Sequence, residues 1–126
     1  MRFNEVSLFI ISLVALVAGG CKTPKLSDSI EKMGRGEFFN AAKTYRAVYN
    51  KLSPKNEREL RGEVAYKLAT CYRRLSQAPR ASAAYQNAIR YEYPDSMAFY
   101  YLGRSLQAEG KYSPAIDAYR TYIEWH

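Results

Sequence analysis

Apolar and small residues recur along most of the chain at helical spacing. Ala65, Leu68, Ala69 and Tyr72 stand at i, i+3, i+4 and i+7, the pattern of one buried helix face, and Ala81, Tyr85, Ala88 and Ile89 keep the same periodicity. No stretch alternates with period two for long enough to be a strand. The pattern predicts helices over residues 27–35, 38–51, 55–75, 78–91, 95–109 and 112–125. The punctuation agrees. Gly36 and Gly110 fall where a helix must end in a tight turn, and Pro79 and Pro114 fall in first turns, where a missing N–H costs nothing. Asp95 or Ser96 is placed to cap the fifth helix.

Two segments align without a gap at an offset of 34 residues, taking Leu68 to Leu102, Ala69 to Gly103, Tyr72 to Leu106, Ala81 to Ala115 and Tyr85 to Tyr119. Each unit is a pair of amphipathic helices in which small residues permit close approach and a tyrosine fills the remaining gap. Gly36, Phe38, Ala41, Tyr45 and Val48 reproduce the second half of the unit upstream. About six residues are inserted between the first and second units, within residues 50–58, and are expected to lengthen the next helix, with Ser53 as N-cap and Pro54 at the first helical position.

The period, the Leu102-Gly103 pair and the run Gly110-Lys111-Tyr112-Ser113-Pro114-Ala115-Ile116 to Tyr119 resemble the tetratricopeptide repeat. The resemblance covers residues 27–126, with units near 27–51, 55–92 and 95–126. It implies an all-α fold, a right-handed superhelix of about three helical hairpins. The first unit departs from the pattern, with Asp28 and Ser29 where Leu-Gly would fall. In such repeats the first helix of each hairpin lines a concave face. That assigns Glu63, Tyr66, Thr70, Arg73, Arg74, Met97, Tyr100, Arg104 and Gln107 to a partner-binding groove, whose plainer alternative is a solvated face. Tyr and Arg are the residues most common at binding hot spots, and Arg can hold a carboxylate through two bonds. An acidic segment, extended or helical, is the expected guest. The paired Lys and Asn clamp for a C-terminal carboxylate is not reproduced, since Tyr66 and Thr70 stand there. A basic RNA-reading helical repeat has a similar period, but a chain that carries an export signal does not suit it.

That signal lies at the N-terminus. Residues 6–18 (VSLFIISLVALVA) are apolar but too short to span a bilayer, and they fit the central region of a signal peptide. Gly19-Gly20-Cys21 follows and resembles a lipoprotein signal, although Ala18 stands where Leu is usual and Glu5 cancels Arg2. The resemblance implies a signal over 1–20, a lipidated linker over 21–26 beginning at Cys21, and the repeat domain from 27. Lys22 in place of Asp leans toward the outer membrane, on its periplasmic face. The formal charge is +7, and it stays +7 without the first twenty residues. Such a balance favours acidic partners or anionic lipid surfaces.

Little in the chain suggests catalysis. The only histidine is His126, so neither Cys71 nor any serine has an imidazole base, and metal sites of His and Cys are not expected. Cys71 is expected to be a half-buried inert thiol. No phosphate-cradling glycine loop occurs, and no enzyme activity or cofactor is expected.

At the other end of the array, Leu102, Leu106, Tyr119, Tyr122 and Ile123 are expected to be partly uncovered, because a repeat array needs a polar terminal helix and none follows. A downstream domain or self-association would cover them. The segments GEFFNAAKTY (36–45) and YEYPDS (91–96), with the lipoprotein signal, resemble the N-terminal part of OmpA-family outer-membrane lipoproteins of type IX secretion. The implied function is a lipid-anchored scaffold in an outer-membrane secretion or envelope complex. Alternatives are a module for anions or peptidoglycan fragments, and a β-barrel assembly factor.

Overall fold

The computed structural model describes residues 25–125; the signal and Cys21 lie outside them. Six helices follow one another: α1 (Leu26–Gly34), α2 (Phe38–Lys51), α3 (Arg58–Arg74), α4 (Ala78–Arg90), α5 (Met97–Ala108) and α6 (Tyr112–Glu124). There is no strand among the described residues. Each helix packs mainly on the helices before and after it. The result is three stacked helical hairpins, α1/α2, α3/α4 and α5/α6, sharing one continuous core.

The core is built from the periodic positions. Ala65, Leu68, Ala69 and Tyr72 of α3 are buried, as are Ala81, Tyr85 and Ala88 of α4. Tyr45 and Tyr85 are fully enclosed, each covered by the next hairpin. Burying an aromatic side chain of this size is worth about 2–3 kcal/mol, so these two anchor their hairpins. Sixteen residues before each tyrosine of the set Tyr45, Tyr85 and Tyr119 stands a buried small residue: Ser29, Ala69 and Gly103. The first hairpin therefore keeps the small-residue half of the pattern through Ser29 and departs only at Asp28, which is exposed. The Ser29 hydroxyl is buried without a hydrogen-bond partner among the described residues.

Each hairpin turns at one left-handed residue. Gly36 and Gly110 both have φ of 77°, and the amide after each donates to a carbonyl five residues back, Glu37 to Lys32 and Lys111 to Leu106. In the second hairpin Ser76 takes this place at φ 56°, with the Gln77 amide donating to Tyr72. A left-handed residue costs a serine more than a glycine, and the closed turn holds it there.

The first junction differs from expectation. Residues 53–57 do not extend α3. They form a separate turn in which the Ser53 hydroxyl accepts from the Asn56 amide (3.1 Å) and the Glu57 carboxylate accepts from the Ser53 amide (3.0 Å), a reciprocal pair that closes the turn on itself. Helix α3 begins only at Arg58. Arg61 then ties the junction together. Its guanidinium donates to the Tyr49 and Leu52 carbonyls at the end of α2 (3.0 and 2.6 Å) and to the Tyr91 hydroxyl (3.0 Å), while lying 4.0 Å from the Tyr49 ring centroid. It caps the Leu52 carbonyl and adds a second donor to the Tyr49 carbonyl, which already accepts from the Leu52 amide. At the next junction Ser96 occupies the cap position, but the side-chain acceptor is Asp95, 2.9 Å from the Met97 amide.

Two further expectations change. Leu102 and Leu106 are buried, because they face α4 and not the open end. Tyr119 and Tyr122 are half-buried and Ile123 is exposed, as expected, and the open end also exposes Tyr112, Ile116 and Trp125. Cys71 is fully buried where half-burial was expected.

Candidate binding groove

Helices α1, α3 and α5 share one layer, and their side chains off the core form the surface assigned to a partner. One register governs it. Twelve residues before each hairpin tyrosine stands the side chain that meets its hydroxyl. Tyr45 donates to the Met33 sulfur (3.6 Å), Arg73 Nε donates to the Tyr85 oxygen (3.2 Å), and Tyr119 donates to the Gln107 amide oxygen (2.9 Å). The repeat thus delivers a contact at the same register position in every hairpin, part-buried in the first two and exposed in the third, and the identity of the residue there sets the chemistry.

Arg73 is the most constrained of the three. Its Nε is committed to Tyr85, and its guanidinium carbon lies 4.1 Å from the centroid of Tyr101. Its two terminal amino groups make no hydrogen bond among the described residues. A fork held along one edge and one face, with the other edge open, is prepared for a carboxylate or phosphate at little entropic cost. Arg73 and the exposed Arg104 line one cleft of about 320 Å³ between the second and third hairpins, together with Ser76, Ala78, Ser105 and Ala108. None of the residues lining it is acidic. The nearby Glu109 is already engaged by the Ser82 hydroxyl (2.6 Å) and by Lys111 (3.3 Å).

Below the arginines runs a continuous train of tyrosine rings. Tyr93 stacks on Tyr66 (4.4 Å), which meets Tyr85 edge-on (5.7 Å). Tyr85 stacks on Tyr101 (5.8 Å), which meets Tyr100, and Tyr100 touches Tyr119 and Tyr122. Burial raises the phenol pKa of Tyr66, Tyr85 and Tyr93 above the ordinary value, only partly opposed at Tyr85 by hydrogen bonds from Thr70 and Arg73. Tyr45 is pushed up to about 12 by burial. These hydroxyls stay protonated at neutral pH and can serve as hydrogen-bond donors.

The structure therefore divides the residues picked from sequence. It brings Tyr66, Thr70 and Arg73 together around Tyr85, with Thr70 Oγ1 3.4 Å from the Tyr85 hydroxyl. It places Arg104 across the cleft from Arg73, with Gln107 on Tyr119. Tyr66 and Tyr100 are half-buried members of the ring train. Arg74 leaves the group: its guanidinium lies 4.7 Å from the Phe38 ring, over the neighbouring hairpin. One helical step separates it from Arg73, enough to turn it to another side. Glu63 is exposed and acts on Tyr45 and Tyr93, away from the arginine cleft, and Met97 is half-buried at the start of α5. Tyr101 and Tyr93 were missed. The signal for Tyr101 was present, since a tyrosine stands there in place of Lys67 of the preceding unit.

The chemistry of reactive groups is sparse. Burial raises the Cys71 thiol to about 11, so it is neutral and a poor nucleophile at physiological pH. Among the described residues no cluster of His, Cys, Asp and Glu could hold a metal ion, and no helix is long and apolar enough to cross a membrane.

Residues 63–96 and 97–124 match the tetratricopeptide repeat family. The two matches cover the second and third hairpins, and the first hairpin follows the same register of small residue, contact residue and tyrosine. No curated protein matches the chain.

Proposed function

We propose that this stack of tetratricopeptide hairpins is a lipid-anchored interaction scaffold on the periplasmic side of the outer membrane. It binds a partner through the face carried by α1, α3 and α5. Tetratricopeptide repeats are protein-interaction scaffolds, and the chain holds two matched copies. The observation that carries the finer reading is Arg73, fixed by Tyr85 and Tyr101 with its outer edge open, facing Arg104 across a cleft with no acidic lining residue. Such a pair receives one acidic side chain of a partner segment, and the tyrosine train beside it offers apolar contact to the residues that flank that side chain. The anchor is Cys21, on the strength of the apolar segment and Gly19-Gly20 before it. The resemblance to OmpA-family lipoproteins points to a secretion or envelope complex as the assembly served.

The test is affinity capture from membranes with wild type, Arg73→Gln/Arg104→Gln and Cys21→Ala. Loss of specific partners in the double variant, with its helix content unchanged, is the expected result. Identical partner sets would remove the groove, and undiminished outer-membrane fractionation of Cys21→Ala would remove the anchor. Capture of purified glycan alone, abolished by salt, would shift the reading to an anion-binding module.

A further inference from the structure

Charge is not spread evenly over the other layer of the stack. Helix α2 carries Lys43, Arg46 and Lys51, and α4 carries Arg80 and Arg90; neither helix contains an Asp or Glu. All five cations are exposed, and none is in an ion pair among the described residues. Helix α6, the third member of the layer, instead mixes Asp117 and Glu124 with Arg120. Solubility alone is served by interspersed signs, as on α6, so two adjacent helices with only positive charge call for another reason. Lys43, Arg46 and Arg80 come together around one shallow cleft that also holds Phe39. Phe39 is 60 % exposed, with the Lys43 ammonium 5.9 Å from its ring centroid.

We propose that the face formed by α2 and α4 is a docking surface for an anionic lipid bilayer. The cations meet headgroup phosphates, and Phe39 enters the boundary between headgroups and acyl chains. A basic face bearing an exposed aromatic side chain is the composition that interfacial binding requires. The cations spread over two helices as a surface does, and the cleft they share is shallow and open. The placement at a bilayer rests on the anchor reading above, since Cys21 stands five residues before α1. The lipid affinity belongs to the folded hairpins themselves. Lying on this face would turn α1, α3 and α5, with the arginine cleft, away from the membrane and toward soluble partners.

The core closes within residues 26–119, so the chain from Lys22 onward is a foldable, unlipidated test object. Its co-sedimentation with phosphatidylcholine vesicles, with and without phosphatidylglycerol, reads the face directly. Binding is expected only with phosphatidylglycerol, to weaken as sodium chloride is raised, and to fall about a hundredfold in Lys43→Gln/Arg46→Gln/Arg80→Gln. Phe39→Ser is expected to weaken it less, by about tenfold. Lys25→Gln/Lys55→Gln/Arg58→Gln removes the same charge from exposed positions outside α2 and α4 and should bind as wild type. Equal losses in the two triple variants would reduce the effect to net charge and overturn the proposal. So would binding to neutral vesicles, or preference for an acidic protein or DNA over the charged vesicles. Because no lipid is attached, a failure here counts against this face alone, while a failure of acylation at Cys21 leaves the vesicle result standing.

Discussion

The second and third hairpins share a sequence register residue for residue, yet the same positions meet different surroundings. Tyr85 is fully enclosed, whereas Tyr119 is half-buried; Ser82 is 5 % exposed, whereas Ile116 is 54 % exposed. The first hairpin sides with the second, for Tyr45 is enclosed and Ala42 is buried. What separates the third is that no hairpin among the described residues stacks on α6. Burial at a repeat position is thus a property of the neighbour, and the core exists only where two hairpins meet. The third hairpin answers part of this locally. Gly103 replaces Ala69, and a β-carbon built there would come 2.8 Å from the Tyr119 ring, so the terminal ring settles closer to its own first helix.

The largest contrast is expected at the tyrosines. Tyr85→Ala should cost about 3–5 kcal/mol, the range for emptying a closed aromatic site, and Tyr119→Ala less than half of that. Denaturant midpoints of the chain from Lys22 onward measure both. Equal losses would mean that α6 is covered in solution and would break the comparison.

A reciprocal exchange sharpens it at the neighbouring position. Ser82→Ile forces a branched side chain against α5 and removes the hydroxyl that Glu109 accepts from, and should cost about 2–3 kcal/mol. Ile116→Ser faces solvent and should stay within about 0.5 kcal/mol of wild type. If Ile116→Ser proves costly, a partner or a second copy sits on that face.

The smallest effect lies in the first hairpin and runs in the opposite direction. Ser29→Ala removes a buried hydroxyl without a partner and copies Ala69, so it should raise stability by about 1 kcal/mol, whereas Ala69→Ser should lower it by about as much. Thermal midpoints of the two variants decide it. A loss on Ser29→Ala would show that the hydroxyl does find an acceptor.

Much of this was legible in the amino-acid order. The helices, the left-handed turns at Gly36 and Gly110, and the enclosed Tyr45 and Tyr85 followed from periodicity and from glycine and proline placement. The arginine site was legible in part. Spacing put Arg73 and Arg104 on the same layer, but not the bond from Arg73 to Tyr85 or its stacking on Tyr101, which join residues 12 and 28 positions apart. Arg61 left no periodic mark, because two of its hydrogen bonds go to backbone carbonyls at the end of the preceding helix, which any residue could supply.

The sequence by itself determined which residues can face one another within a hairpin, since a helix of 3.6 residues per turn places i, i+4 and i+7 on one side whatever surrounds it. Only the tertiary structure decided which of those faces are closed to water, and it overturned the expected exposure of Leu102 and Leu106 while exposing Ile116 and Ile123. It also decided which cations stand free: Arg61 is consumed as a cap, Arg73 is held ready, and the five on α2 and α4 are left without counter-charges among the described residues. The physical reason is the same throughout. Desolvation and ion pairing depend on what lies across the interface between hairpins, and the repeat period specifies the position of a side chain there but not its neighbour.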